Sequence, residues 1–123
     1  MTPEPSARAK PLVLYDGECD FCERFARWVR RRDRAGALDV LAFQRCPAPP
    51  MTTDLHAACT QAVHVIRRDG LVLRGGRAAL FILDRLGYRR IARTLALPPF
   101  LWVVEAGYGI VARNRGRLAR LIP

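Results

Sequence analysis

The sequence predicts an α/β fold with the element order β-α-β-α-β-β-α and additional helices at the C-terminal end. Three observations indicate this fold. Short apolar runs that suit buried strands alternate with stretches whose apolar residues recur at helical spacing. An Asp-Gly pair at residues 69–70 is a strong tight-turn signal between two strand-like runs. Half of the 123 residues are hydrophobic, which is enough for one core without staples.

The chain is expected to form a single domain over residues 11–123, preceded by a flexible leader. Residues 1–10 are polar and contain Pro3 and Pro5. They lack the apolar segment of a secretion signal, so we expect a cytoplasmic protein. Thiols are kept reduced there, and a close cysteine pair is then expected to be catalytic or metal-binding rather than a structural staple.

The first part of the domain predicts a βαβ unit. Residues 12–15 are wholly apolar, as expected of a buried central strand. Residues 21–34 form an amphipathic helix that Gly36 ends, and residues 38–43 form a second apolar strand. Strands joined by a helix in this way are parallel, and the crossover is right-handed.

The middle of the chain predicts a short helix and a hairpin. Thr52 or Thr53 can cap a helix over residues 54–61. Residues 62–67 alternate in polarity and form a strand, and residues 71–74 return as its antiparallel partner after the Asp-Gly turn.

The last part of the chain predicts helices over residues 77–86, 88–97 and 100–121. Gly107 and Gly109 weaken the final helix, so that a break at these positions is possible. Two parallel strands followed by a hairpin on the same sheet are the order of thioredoxin-like domains. The helices after residue 87 are an addition to that minimal fold.

The strongest chemical signal is the pair Cys19-x-x-Cys22 between the first strand and the first helix. Disulfide exchange needs a thiolate and a second thiol close enough to resolve the mixed disulfide. A sulfur at the helix N-cap faces free backbone N–H groups and the positive end of the helix dipole, which favour the anion. Cys19 is therefore the expected nucleophile and Cys22 the resolving thiol. No cofactor is expected beyond this pair, and the expected partner is a protein or small-molecule thiol or disulfide.

Asp16 has two interpretations at this stage. At the strand end it can take the proton from Cys22 as that thiol attacks the mixed disulfide. Alternatively, Asp16 caps the turn or the helix, and Gly17 supplies an unusual backbone angle. The residues alone leave both interpretations open.

The formal net charge is +10, carried almost entirely by arginines spread along the chain. We interpret it as a solvated basic surface, because no recognised nucleic-acid module is present and few aromatics lie between the arginines. The apolar face of the last helix is expected to cover the sheet, with its basic tail complementing the helix C-terminus. Docking of this basic helix on an anionic membrane is the less favoured alternative.

A second function class is a non-catalytic zinc-binding or protein-interaction module of the same fold. His56-x-x-Cys59 can supply two ligands from one helical turn, and Cys19 and Cys22 two more. Cys46 and Cys59 have no paired Cys-x-x-Cys spacing of their own, so we expect a small apolar helix residue at Cys59 and a loop thiol at Cys46. No metal site is therefore predicted.

Residues 15–22, with the pattern Tyr-Asp-Gly-x-Cys-x-x-Cys, resemble the DCC family of thiol-disulfide oxidoreductases, named for its Asp, Cys and Cys. The resemblance implies a thioredoxin-like fold and a functional set of Asp16, Cys19 and Cys22, without implying a substrate. Weaker similarities extend it over about residues 11–121, namely at residues 42–44, 68–70, 88–92 and 111–117.

The chain also departs from thioredoxins themselves. Thioredoxins carry a cis-proline just before the third strand, facing the dithiol, whereas residues 61–63 here are Gln-Ala-Val. The dipeptide between the cysteines is Asp20-Phe21 rather than Gly-Pro. The backbone contact through which thioredoxins usually bind a substrate is therefore without its proline in this chain.

Overall fold

The computed structural model describes residues 9–119, which contain a four-stranded mixed sheet with helices on both faces. The predicted leader, residues 1–10, lies almost wholly outside the described residues. The predicted element order is confirmed, with three helices after the minimal thioredoxin-like fold. The strands are β1 Leu12–Tyr15, β2 Asp39–Ala42, β3 His64–Ile66 and β4 Val72–Arg74. The helices are α1 Asp20–Arg32, α2 Thr53–Cys59, α3 Gly76–Arg85, α4 Arg89–Leu95, α5 Phe100–Arg113 and α6 Arg115–Leu118, with a 3-10 turn at Phe43–Arg45.

The sheet has the order β2-β1-β3-β4, so β1 is a central strand as predicted. It pairs in parallel with β2, Leu12 lying opposite Asp39, and antiparallel with β3, Leu14 lying opposite His64. The predicted hairpin joins β3 to β4, and Asp69 stabilises its turn by accepting the backbone N–H of Leu71 at 3.1 Å. Strand β1 therefore pairs with a strand from a later part of the chain on each of its two sides.

Side chains of β1 alternate between two cores, one on each face of the sheet. Val13 packs with Val29 of α1 and with Ile82 of α3. Leu12 and Leu14 face the opposite side. Their core also contains Phe43, Cys59 and Ile66, with Leu55 and Met51 at its edge. This division places α1 and α3 on one face and α2 on the other, because successive side chains of a strand point to opposite faces.

Helix α5 differs from the prediction in where it ends. It continues through Gly107 and Gly109 and ends at Arg113, and α6 begins after Asn114. The Asn114 side-chain amide donates to the carbonyl of Ile110 at 2.8 Å and so satisfies a group in the last turn. The two glycines cost helix stability only locally. The break therefore lies where a side chain competes for the helical carbonyls, not where glycine lowers propensity.

Helix α5 also packs differently from the prediction that it covers the sheet. It lies mainly against α3 and α4, and none of its 14 residues is buried. Its Glu105 accepts the backbone N–H of Arg77 at 2.9 Å and so caps the first turn of α3. A Cβ on Gly76 would meet the Glu105 carboxylate, which explains the small residue at this helix contact. Helix α3, not α5, covers this part of the sheet.

Within residues 9–119, none of the helices alone has both the length and the apolar character needed to cross a membrane. Helices α4 and α5 meet those two criteria only when taken together, across a bend of 96°.

We predict that Leu14→Ala strongly destabilises the protein, because Leu14 is fully buried in the central strand. Loss of its packing should lower the free energy of unfolding by about 2–5 kcal/mol. Urea denaturation followed by circular dichroism measures this. Leu71→Ala is the matched control, since Leu71 is 51% exposed and should change stability little. Equal effects of both substitutions would contradict the described core.

Candidate functional site

The candidate site lies where β1 ends and α1 begins, as the sequence predicts. The backbone N–H of Cys19 donates to the carbonyl of Asp16 at 3.2 Å, which closes the intervening turn. Cys19 is the N-cap of α1, and its sulfur accepts the backbone N–H of Cys22 at 3.4 Å. The Cys19 sulfur therefore faces a helical N–H donor, an arrangement that stabilises negative charge.

Gln44, just after β2, holds this turn in place. Its side-chain oxygen accepts the N–H of Gly17 at 3.0 Å, and its Nε2 donates to Oδ1 of Asp16 at 2.8 Å. A Cβ on Gly17 would lie 2.9 Å from the Cβ of Ala42. The expectation that Gly17 supplies an unusual backbone angle is wrong, since its φ is not positive. Glycine is needed here because the turn lies directly against the end of β2.

Asp16 adopts the capping geometry that the sequence left as one of two interpretations. Its Oδ1 accepts the backbone N–H of Glu18 at 3.0 Å in addition to the bond from Gln44. The carboxylate is half-buried. The two hydrogen bonds explain why a side-chain oxygen is present at position 16. The role of Asp16 in accepting the proton of Cys22 stays a prediction.

The two cysteines approach to 3.1 Å and neither forms a disulfide. Both are half-buried. Burial raises the pKa of Cys22 from 9.0 to about 11, and its hydrogen bond to Cys19 raises it as well. Cys22 is therefore protonated at neutral pH and can donate to the Cys19 sulfur. The roles of Cys19 as nucleophile and Cys22 as resolving thiol stay predictions.

The guanidinium group of Arg115, on α6, contacts the Cys22 thiol. Its Nη1 donates to the Cys22 sulfur at 3.4 Å. Its Nε donates to the carbonyl of Ala112 at 3.1 Å, and its Nη2 donates to that of Thr60 at 3.5 Å. Arg115 lowers the pKa of Cys22, although the effect of burial is larger. The guanidinium is thus held where it stabilises a Cys22 thiolate whenever one forms.

The side chain of Tyr108, on α5, contacts the backbone segment just before β3, where thioredoxins have their cis-proline. Its hydroxyl accepts the N–H of Val63 at 2.8 Å, just before β3. Burial raises the pKa of Tyr108, so this hydroxyl stays neutral. A cavity of about 170 Å³ lies between this tyrosine and Cys22. Its walls are mainly apolar and include Phe21, Phe25, Val63 and Val111.

The proposed zinc ligands are not brought together. Cys59 is buried in the core beneath β1, and the Cys46 sulfur lies 3.6 Å from the carbonyl of Pro47. The His56 ring packs edge-on against Phe43, with 4.7 Å between ring centroids. Among residues 9–119, no group of three or more His, Cys, Asp or Glu side chains has an arrangement that suits a metal ion.

Sequence reasoning missed Gln44, Tyr108 and Arg115 as site residues. Arg115 lies 93 positions from Cys22, and Tyr108 lies 45 positions from Val63. Both residues fall in or beside the additional C-terminal helices, and Arg115 is one of many arginines. A useful signal was available only for Gln44, which directly follows a strand expected to lie parallel and adjacent to β1.

Comparison with known proteins gives one family match. The model of the DCC1-like thiol-disulfide oxidoreductase family matches residues 13–121. Searches of curated proteins and of solved structures found no significant match. The match includes the turn, both cysteines and the C-terminal helices that carry Tyr108 and Arg115.

We predict that Arg115→Met raises the pKa of Cys22 further above its ordinary value, because a cation in contact with its sulfur is removed. In a Cys19→Ser background, iodoacetamide should alkylate Cys22 about three- to tenfold more slowly, since each unit of pKa changes the thiolate fraction tenfold. Mass spectrometry of the modified peptide across pH 7 to 12, a range that contains the Cys22 pKa of about 11, gives the rate and its midpoint.

Two variants serve as controls for this prediction. Arg113→Met removes an exposed arginine two positions away and should leave the midpoint unchanged. Arg115→Lys keeps the charge and should restore part of the rate. A change in rate without a change in midpoint would mean that Arg115 controls access to Cys22 rather than its ionisation.

Proposed function

The chain belongs to the DCC1-like thiol-disulfide oxidoreductase family, and from this premise we propose that it exchanges disulfides through a Cys19–Cys22 cycle. The observation that carries the proposal is the geometry of the pair. Cys19 caps α1, Cys22 lies 3.1 Å away, and both are thiols in one short turn of chain. The substrate is a protein or small-molecule disulfide, or a thiol when the cycle runs in the opposite direction. We propose that it acts in the cytoplasm, where thiols are kept reduced.

In the first step the Cys19 thiolate attacks one sulfur of the substrate disulfide. The substrate S–S bond breaks, a mixed disulfide with Cys19 forms, and the other substrate sulfur leaves as a thiolate. The N–H of Cys22 supports the Cys19 anion before attack. The start of α1 thus stabilises the Cys19 anion and also brings the two cysteines close together.

In the second step Cys22 loses its proton and attacks the Cys19 sulfur. The Cys19–Cys22 disulfide forms and the second substrate sulfur leaves, so that the substrate gains two electrons and the protein loses two. Burial opposes the Cys22 anion, and the contact with Arg115 offsets part of this cost. We propose that Asp16 accepts the Cys22 proton, either directly or through water.

The alternative is a non-catalytic zinc-binding or interaction module. Metal content, measured with thiol counts before and after mild oxidation, distinguishes the two functions. One equivalent of zinc per chain, or the absence of a Cys19–Cys22 disulfide in every redox buffer, would reject the oxidoreductase. Reversible loss of two thiols per chain supports it.

We predict that Cys19→Ser abolishes exchange and that Cys22→Ser stops it after one step. The probe is 5,5′-dithiobis(2-nitrobenzoic acid), whose coloured thiolate is counted by absorbance. A Cys46→Ser background removes the other accessible thiol, since Cys59 is buried. The parent should release two thiolates per chain and Cys22→Ser one, with the probe's remaining half retained on the protein.

Intact-protein mass and peptide mapping complete this experiment. The Cys22→Ser variant should carry the retained half of the probe on Cys19. Retention on Cys22 in the Cys19→Ser variant, at the parent's rate, would reverse the roles of the two cysteines.

We predict that Asp16→Asn slows the second step without changing the fold. Asparagine keeps an oxygen that can accept from Glu18 and Gln44, so the turn is preserved while the carboxylate is lost. Loss of a general base should cost about 100-fold or more in that step. Stopped-flow release of the second thiolate between pH 6 and 9 measures it. Turnover equal to that of the parent across this range would leave Asp16 with its capping role alone.

A further inference from the structure

The outward face of α5 is apolar along most of the helix. Trp102, Val103, Ala106 and Ile110 are all exposed and are spaced so that they share one face. Trp102 is 68% exposed and Val103 is 70% exposed. A helix at a protein surface normally presents polar side chains outward, and one that is apolar all round is normally buried. This face therefore has the character of a contact surface.

Two more exposed apolar side chains lie on α4 and just after it, in a part of the chain that is rich in positive charge. Ile91 and Leu97 are 57% and 60% exposed. Residues 86–119 contain one carboxylate, that of Glu105, which is hydrogen-bonded to the start of α3. The same residues contain six arginines. They are Arg89, Arg90 and Arg93 on α4, Arg113 at the end of α5, and Arg115 and Arg117 on α6.

We propose that α4 and α5 dock in the plane of an anionic lipid bilayer. The apolar side chains enter the boundary between headgroups and acyl chains, and arginines at both ends of the stripe contact anionic headgroups. Tryptophan suits this depth, because its ring is amphipathic. This surface, defined by Ile91, Leu97, Trp102, Val103 and Ile110, is called the α4–α5 surface below.

The charge distribution favours lipid over a second copy of the chain. Two copies that met through the α4–α5 surface would bring arginines of one chain towards those of the other, and like charges oppose such contact. The net charge of +10 adds long-range repulsion between copies and attraction to an anionic bilayer. An acidic protein partner would satisfy the charge as well, and failure to bind anionic vesicles in the experiment below would favour such a partner over lipid.

The test is co-sedimentation of the full chain with vesicles. Vesicles of equal parts phosphatidylglycerol and phosphatidylcholine should bind the protein, and pure phosphatidylcholine vesicles should bind it far more weakly. The double variant Trp102→Gln/Val103→Gln should bind the anionic vesicles at least about tenfold more weakly, because two large apolar side chains no longer enter the bilayer. High salt should weaken binding by the parent.

Matched controls separate this surface from exposed apolar groups in general. Leu71→Gln/Val72→Gln changes another exposed apolar pair, 51% and 47% exposed, just after the β3–β4 turn and at the start of β4. It should bind as the parent does. For charge, Arg89→Gln/Arg90→Gln should weaken binding more than Arg31→Gln/Arg34→Gln, which removes the same charge beside and within α1. Circular dichroism confirms that each variant is folded.

Trp102 also reports its own environment. In a Trp28→Phe background it is the remaining tryptophan of the sequence, and its emission should shift to shorter wavelength on addition of anionic vesicles. Equal binding to both vesicle types, no binding, or no effect of Trp102→Gln/Val103→Gln would overturn the proposal. A dimer in sedimentation equilibrium that this variant abolishes would assign the surface to a second copy instead.

Discussion

Strand β1 has a hydrogen-bonded neighbour on each side and a hydrophobic core on each face, so its four residues cannot reach solvent. Along the chain from Leu12, residues first become accessible after Tyr15, where β1 ends. The turn after Tyr15 lies at that point, held by Gln44 from the neighbouring strand end. Helix α1 must then return along the sheet to bury Val29, and this fixes the direction of its N-terminus. The location of the dithiol follows from the burial of β1.

Two opposed effects act on the ionisation of the Cys22 thiol, and their balance determines whether the thiol keeps its proton. Burial disfavours the Cys22 anion, and the Arg115 contact favours it. Burial is the larger effect, because the pKa of Cys22 remains about 11 with the arginine in place. Cys22 therefore keeps its proton in the resting dithiol, and the proposed second step needs a group that removes this proton.

The C-terminal helices contribute residues both to the dithiol site and to the outer surface of the protein. Their inner residues, Tyr108 and Arg115, contact the backbone before β3 and the Cys22 sulfur. Their outer residues, among them Trp102 and Val103, form the exposed apolar surface. Helix α5 therefore forms part of the wall of the apolar cavity beside Cys22. Because the backbone N–H of Val63 donates to the Tyr108 hydroxyl, a substrate cannot bind this N–H unless the tyrosine moves. The usual backbone contact of thioredoxins with their substrates is therefore blocked here.

The sequence alone determined the element order, the central strand and the pair Cys19 and Cys22, because these depend on local spacing, turn residues and apolar runs. It also predicted that Cys59 is a small apolar helix residue, and the structure buries this residue in the core. Only the tertiary structure decided the surroundings of the dithiol. Gln44, Tyr108 and Arg115 reach the site from elements far along the chain, and no local pattern encodes such contacts. The course of α5 was likewise decided by packing, since its contact with α3 through Glu105 and Gly76 leaves its apolar face exposed instead of directing it onto the sheet.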